Sequence, residues 1–261
     1  IFQFFCTVFF IDLRYNSRVN AVIIGGSGGI GRAVSCVLAE KVTSLCIHAG
    51  HESDKFNSLA ASLAHKTNVT PIVHSFSLEK GLESFLNDFY HCDLYQHLLI
   101  ADIICICYGP FLQKSVHEMK DTEWIESSFF NFTLPGIIMS LVLPSMMERK
   151  FGRIIVFGGT KTEALRSFKT NPVYGASKTA LCSLVKSVAS QYSSYGITCN
   201  AVLPGFVDTE YVSCEEKLRY EALSPGKKMI DVHTVADAVM FLIENPAVSG
   251  TLLTVDGGLN I

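Results

Sequence analysis

Tyr174 and Lys178 are four residues apart. On a helix this spacing puts the phenol and the ammonium on one face, a single turn from each other. A free phenol, with a pKa of about 10, is a poor acid–base group at neutral pH. A neighbouring cation stabilises the phenolate and makes the pair a usable proton donor and acceptor. The chain has nine tyrosines, so the spacing alone decides nothing. A second group lies far upstream. Gly25-Gly26-Ser27-Gly28-Gly29-Ile30-Gly31 fits G-x-x-x-G-x-G on Gly25, Gly29 and Gly31, and G-x-G-x-x-G on Gly26, Gly28 and Gly31. Missing side chains let a backbone turn sharply and approach a pyrophosphate, whose charge then faces the first amides of a helix. A plain glycine-rich turn would have the same composition. A strand before the loop and a helix after it favour the dinucleotide reading, with Ser27, Gly28 and Ile30 among the contacts. The residue that selects the cofactor's ribose falls about 20 residues on, at the end of the second strand. There the chain has Gly50-His51-Glu52. An acidic residue directly at the strand end would bind a ribose diol and repel a 2′-phosphate. Gly50 does neither, and His51 beside Glu52 leaves only a slight preference for NADP(H) over NAD(H).

The elements that must hold these residues alternate along the chain. Apolar runs suited to buried strands are predicted at Asn20–Ile24, Leu45–Ala49, Thr70–Phe76, within 100–107, and at Arg153–Phe157, Thr198–Leu203 and Thr251–Val255. Helical periodicity is predicted over 30–40, 56–64, 82–89, 124–147, Tyr174–Tyr192 and 235–242, with Pro135 and Pro144 complicating the fourth of these. Strands without period-2 alternation, separated by helices, imply a parallel sheet covered on both faces. The expected fold is a single α/β domain with a Rossmann-like, doubly wound sheet.

Composition narrows the rest. A chain of 261 residues that is 49% hydrophobic and 17% charged, with mean hydropathy +0.32, is not disordered. Lys+Arg 21 against Asp+Glu 24 leaves net −3 and no basic excess for a nucleic-acid partner. The nine cysteines sit in apolar runs and read as reduced thiols of a cytoplasmic protein. No Cys/His spacing forms a metal-ligand quartet, so no metal is expected. The apolar residues 1–11 are too few to span a bilayer, which takes about 20, and no membrane association is expected. Residues 1–18 are read as an appendage, either an extra strand or outside the fold, and residues 19–261 as the domain.

In combination these features resemble the short-chain dehydrogenase/reductase family from about Asn20 to Leu259. The glycine loop matches that family's motif. Trp124, followed by Asn131, is similar to its helix with a catalytic Asn. Gly152-Arg153-Ile154-Ile155 resembles the lead-in to its catalytic strand, and Tyr174/Lys178 its active-site pair. Asn200-Ala201-Val202-Leu203-Pro204-Gly205 with Thr209 is similar to the segment closing over nicotinamide, and Val255-Asp256-Gly257-Gly258 to its C-terminal signature. The resemblance implies that Tyr174 is the general acid/base, that Lys178 lowers its pKa and holds the ribose, and that Asn131 anchors a proton-relay water. It implies further cofactor contacts at Gly109, Pro204, Gly205, Val207 and Thr209. It also implies a homodimer or homotetramer, with contacts through Tyr174–Tyr192 and the 124–147 segment.

Three departures stand out. The family's catalytic Ser falls at Gly159, leaving Thr160 as the expected substitute hydroxyl. Its Asn-Asn-Ala-Gly segment is Ile106-Cys107-Tyr108-Gly109, which retains only Gly109. Ser75 replaces the Asp that touches adenine. Within the family the pattern is most similar to 3-oxoacyl-carrier-protein reductases, which implies a small-molecule or acyl-thioester carbonyl substrate. The alternative is a catalytically impaired relative that binds nucleotide or a partner. The 208–229 segment is expected as a solvated flap over the substrate.

Overall fold

The computed structural model describes residues 18–260. The expected appendage, bar its last residue, therefore lies outside the described residues. Seven parallel strands form one sheet in the order β3-β2-β1-β4-β5-β6-β9. They are β1 (Asn20–Ile24), β2 (Ser44–Ala49), β3 (Asn68–Val73), β4 (Ile103–Ile106), β5 (Gly152–Phe157), β6 (Ile197–Pro204) and β9 (Leu252–Val255). A two-stranded parallel ribbon, β7 (Val207–Asp208) with β8 (Ile230–Asp231), stands apart from the sheet. Chain order reverses between β1 and β4, which places a crevice beyond the carboxyl ends of these strands.

Helices cover both faces. On one side α1 (Gly29–Leu38), α2 (Asp54–Leu63) and α9 (Val232–Glu244) bury Val34, Leu38, Phe56, Val239 and Leu242 against the sheet. On the other, α3 (Leu82–His91), α4 (Asp93–Leu99), α5 (Asp121–Ser128), α6 (Leu134–Arg149) and α7 (Pro172–Tyr192) pack Leu94, Leu98, Ile138, Val142, Leu181 and Val185. Strands β1, β4, β5 and β6 are buried almost throughout, as unalternating apolar runs require when both faces are covered. The 121–149 stretch is long and apolar enough to cross a bilayer by length and composition, but its α6 part packs on β5 and α7 within the core.

Among the differences from the sequence expectation, three concern β3, α4 and the flap. β3 starts two residues earlier than expected and ends at Val73, because Phe76 leaves the ladder to fill an aromatic cluster. α4 was not anticipated. It is seven residues long and buries only Leu94 and Leu98, too few turns to declare a period. The expected flap contains α8 (Cys214–Leu223), which has no buried residue. It starts with a capping box in which the Ser213 hydroxyl accepts from the Glu216 amide at 3.2 Å and the Glu216 carboxylate accepts from the Ser213 amide at 2.9 Å.

Buried polar groups fix the sheet where apolar packing cannot. Asn200 donates to the Val248 carbonyl at 2.8 Å and accepts from the Thr251 amide at 2.9 Å, tying β6 to the last loop. The Arg153 guanidinium is buried and donates to the carbonyls of Ile243, Gly152 and Gly196. Burial lowers its pKa to about 10. Beyond β4, where the family's asparagines are missing, Tyr108 packs edge-on to Phe76 and Phe130, at centroid distances of 5.3 and 5.8 Å. An aromatic cluster thus stands where the sequence lacks that polar support.

Candidate active site

The glycine loop joins β1 to α1. Gly25 at φ +77° and Gly29 at φ +50° hold the left-handed conformations that the turn needs. At Gly31 a side chain would collide with the Gly25 carbonyl, so the helix can start this close to the strand only with glycine there. The loop is braced from below by His48, a buried side chain of β2. Its Nδ1 accepts from the Gly25 amide at 3.3 Å, and its Nε2 lies 2.7 Å from the His74 carbonyl. These partners require the neutral ring with its proton on Nε2. Burial lowers the pKa to about 4, consistent with that form. His48 also stacks on Phe76, with centroids 4.6 Å apart.

Above the loop lie Thr209, Glu210 and Tyr211. The Glu210 carboxylate accepts from the Gly29 amide at 3.1 Å, and the Tyr211 hydroxyl occupies the space that a side chain on Gly28 would need. The first amide of α1 therefore already has an anion on it, supplied by the chain itself. Ser27 and Ile30 lie in the same turn, half-buried, while His51 is exposed beyond the end of β2.

The acid–base pair sits on α7, whose first residue, Pro172, lacks the amide that a helix start leaves unpaired. Tyr174 and Lys178 come together as their spacing predicted, with the Lys178 Nζ 5.8 Å from the centre of the Tyr174 ring. Lys178 is 3% exposed and donates to the Phe157 carbonyl at the end of β5, at 2.8 Å. Burial lowers its ammonium to about 8 and raises the Tyr174 phenol to about 12. The phenol is therefore protonated at neutral pH and the ammonium remains largely charged.

Asn131 lies in a π-helical turn (Phe129–Thr133) between α5 and α6, the kind of local bulge that recurs at functional positions. Its amide donates to the Pro110 and Ser127 carbonyls at 2.9 and 3.0 Å. Its buried Oδ1 has no partner. A side chain on Gly109 would come within 2.6 Å of that Oδ1 and 2.8 Å of the Lys178 Nζ. Glycine at 109 thus leaves room between two polar atoms that face one another.

Gly159 stands beside the phenol. A Cβ there would lie 3.4 Å from the Tyr174 hydroxyl and 3.0 Å from its ring. Thr160 is in the same cavity wall, but its hydroxyl donates to the Pro204 carbonyl at 3.3 Å. The expected substitute hydroxyl is thus engaged away from Tyr174, because β5 ends so that Gly159, not Thr160, faces the phenol. A residue that the sequence reading missed shapes this turn. The buried Thr162 hydroxyl accepts from the Gly159 amide at 3.0 Å and donates to its carbonyl at 2.8 Å. Nothing in the local sequence marks it. His48 did carry a signal, as the one histidine inside the apolar run of β2.

A cavity of about 460 Å³ opens above the phenol, lined by Phe111, Gly159, Tyr174, Pro204, Phe206 and Val207 among others. Phe111 packs edge-on to Tyr174, with centroids 5.0 Å apart. Pro204, Gly205 and Val207 line this cavity, and Thr209 lies against Gly29. Among the described residues no cluster of His, Cys, Asp and Glu is arranged to hold a metal.

The comparisons agree on the kind of protein this chain is similar to. The family model described as short chain dehydrogenase matches residues 19–218. The chain is 31% identical over 246 residues to a 3-oxoacyl-(acyl-carrier-protein) reductase of Haemophilus influenzae, covering 92% of this chain and 97% of that protein. Against the Escherichia coli protein of the same name it is 29% identical over 250 residues, covering 92% and 96%. Among solved structures, ElxO with NADP bound matches with TM-score 0.77 at 22% identity, over 93% of this chain and 98% of that one. The last likeness concerns the fold.

Proposed function

Because this chain belongs to the short-chain dehydrogenase/reductase family and is an NAD(P)-dependent oxidoreductase, we propose that it reduces a ketone, with Tyr174 as the general acid. The substrate we favour is a 3-oxoacyl thioester or a similar small carbonyl compound. The observation that carries this reading is Tyr174 beside Gly159 in the wall of one cavity, backed by the Lys178 Nζ 5.8 Å from its ring centre, with Lys178 and the Oδ1 of Asn131 both close to Gly109.

The chain fits a dinucleotide in two respects. The glycine loop brings the first amides of α1 close to β1 where bulkier residues would not fit, open to a diphosphate once Glu210 and Tyr211 leave their places over them, and Gly109 leaves open the space between Lys178 and the unpartnered Oδ1 of Asn131. Gly25, Ser27, Gly28, Gly29, Ile30 and Gly31 would hold the diphosphate, and Lys178 the nicotinamide ribose. Gly109, Pro204, Gly205, Val207 and Thr209 would line the nicotinamide. When bound, the nicotinamide supplies the hydride. Gly50 puts no acidic side chain at the end of β2, and with exposed His51 beside Glu52 this supports a slight preference for NADP(H) over NAD(H).

Tyr174 donates its proton to the carbonyl oxygen as the carbonyl carbon gains the hydride, giving the secondary alcohol. The phenolate that remains lies beside the Lys178 ammonium, which stabilises it and hands on a proton; the Oδ1 of Asn131 anchors the path by which that proton is replaced. Thr160 can add a second donor to the carbonyl oxygen only by leaving Pro204.

Assembly is proposed as a homodimer or homotetramer through α6 and α7, where partly exposed Phe132 borders a groove formed by Ile137, Leu141 and Leu184. The eight described cysteines are unpaired, which supports a cytoplasmic enzyme. The test is titration with NADPH and NADH, followed by turnover on a panel of ketones and 3-oxoacyl thioesters. Tyr174→Phe is expected to bind cofactor normally and lose turnover at least a thousandfold. Cofactor binding without turnover on any member of the panel would favour the impaired, nucleotide-binding relative instead.

A further inference from the structure

α8 is held against the cavity from two sides. Tyr220 stacks on Phe206, with ring centroids 4.4 Å apart and planes 9° from parallel, and Lys217 pairs with Asp208 at the end of β7. Between these anchors Arg219 reaches the cavity wall. The remaining lining is apolar, aromatic or neutral, including Gln113, Asn171, Val212 and Met229. Among the described lining residues Arg219 is the only charged side chain. No carboxylate lines the cavity, and Arg219 is in none of the ion pairs among the described residues. Its helix neighbour Glu216 spends its carboxylate on the Ser213 cap.

A planar guanidinium that forms no ion pair, with Glu216 near enough to feel its charge but engaged at the Ser213 cap, is suited beside an apolar wall to bind a carboxylate or phosphate through paired hydrogen bonds. We propose that the substrate carries an anionic group, a carboxylate or a phosphate monoester, at the end remote from the reacting carbonyl, and that Arg219 holds it. The proposal rests on the carbonyl-reductase reading of the same cavity. Tyr174 on the floor and Arg219 on the wall then recognise the two ends of one molecule. The charge also selects against neutral ketones of equal size.

The experiment uses three substrates that share one ketone and differ at the far end: a methyl ester, a free carboxylate and a phosphate monoester. Steady-state reduction by the full chain with NADPH is expected to give a KM at least tenfold lower for one or both anions than for the ester, and the better anion identifies the group. Arg219→Gln should raise that KM about tenfold, with kcat and the ester's KM unchanged, and Arg219→Lys should restore part of the loss. Arg219 is exposed, so its replacement is not expected to disturb folding. Equal KM values for the three substrates, or an equal loss on all three in Arg219→Gln, would overturn the anion site while leaving the reductase reading intact. No reduction of any of the three by the wild-type protein would overturn both.

Discussion

Glu210 occupies the amide that a dinucleotide's diphosphate needs. Its carboxylate accepts from Gly29 at 3.1 Å, so a diphosphate binding there must displace the carboxylate or share the loop with it. Either outcome opposes binding. Two unit charges 4 Å apart repel by about 1 kcal/mol in water. Glu210 is exposed, so the water value is the appropriate one and the interior value is not. Glu210→Gln keeps the shape and the acceptor oxygen but removes the charge. It should therefore tighten NADPH by about 1 kcal/mol, or about fivefold in Kd. The assay is a fluorescence titration of NADPH against wild type and variant at low salt, repeated at high salt. There the advantage should shrink as ions screen the charge. Glu210→Asp serves as the control that keeps the charge on a shorter arm. An unchanged or weaker Kd in Glu210→Gln would refute the reasoning, since Glu210 would then be a partner of the bound state and not a rival to it.

The remaining predictions concern the catalytic floor. Burial lowers Lys178 from 10.5 to about 8, a shift worth about 3 kcal/mol against the folded state at neutral pH. Lys178→Met removes that cost but also the charged donor to the Phe157 carbonyl, a loss of about 2 kcal/mol. The variant should be about 1 kcal/mol more stable at pH 7 and inactive, and a lower denaturation midpoint would refute the assignment. The sign fixes the pH dependence: between pH 8 and 10.5 the unfolded chain binds the proton and the folded one does not. Wild-type stability should therefore gain a rising contribution across that window, absent in Lys178→Met and measurable by denaturant titration at stepped pH. Gly159→Ser would put a hydroxyl beside the phenol, with its Cβ 3.4 Å from the Tyr174 oxygen. Once Tyr174 shifts by a few tenths of an ångström, kcat should rise about tenfold, and a fall would mean that the crowding at 3.0 Å dominates.

What could be read from the sequence was local. Strand β1 falls where its apolar run put it, and α7 starts two residues before Tyr174, because burial on both faces and a 3.6-residue period are written in consecutive residues. That Tyr174 and Lys178 share a face follows from that period, and their choice among the chain's tyrosines and lysines from the resemblance to a family's active-site pair. Gly159 could be identified because the apolar run Arg153–Phe157 fixes where β5 ends, and the position of the resembled family's catalytic Ser, two residues beyond, then falls on glycine. The identity of Thr160's partner could not be foreseen. Its bond to Pro204 joins the ends of two adjacent strands, and such pairing depends on how β5 and β6 align.

The same limit hid the groups that govern the glycine loop. His48 is 23 residues from Gly25, and Glu210 is 181 residues from Gly29. His48 belongs to the neighbouring strand, so sheet order decides that it sits under the loop. Glu210 follows β6, and only the return of that segment toward α1 brings its charge to the helix start. The glycine motif specifies the shape of an anion cradle. The charge within it is set by residues that the motif does not contain, so two chains with identical glycine loops can differ in cofactor affinity through the segment that folds over them.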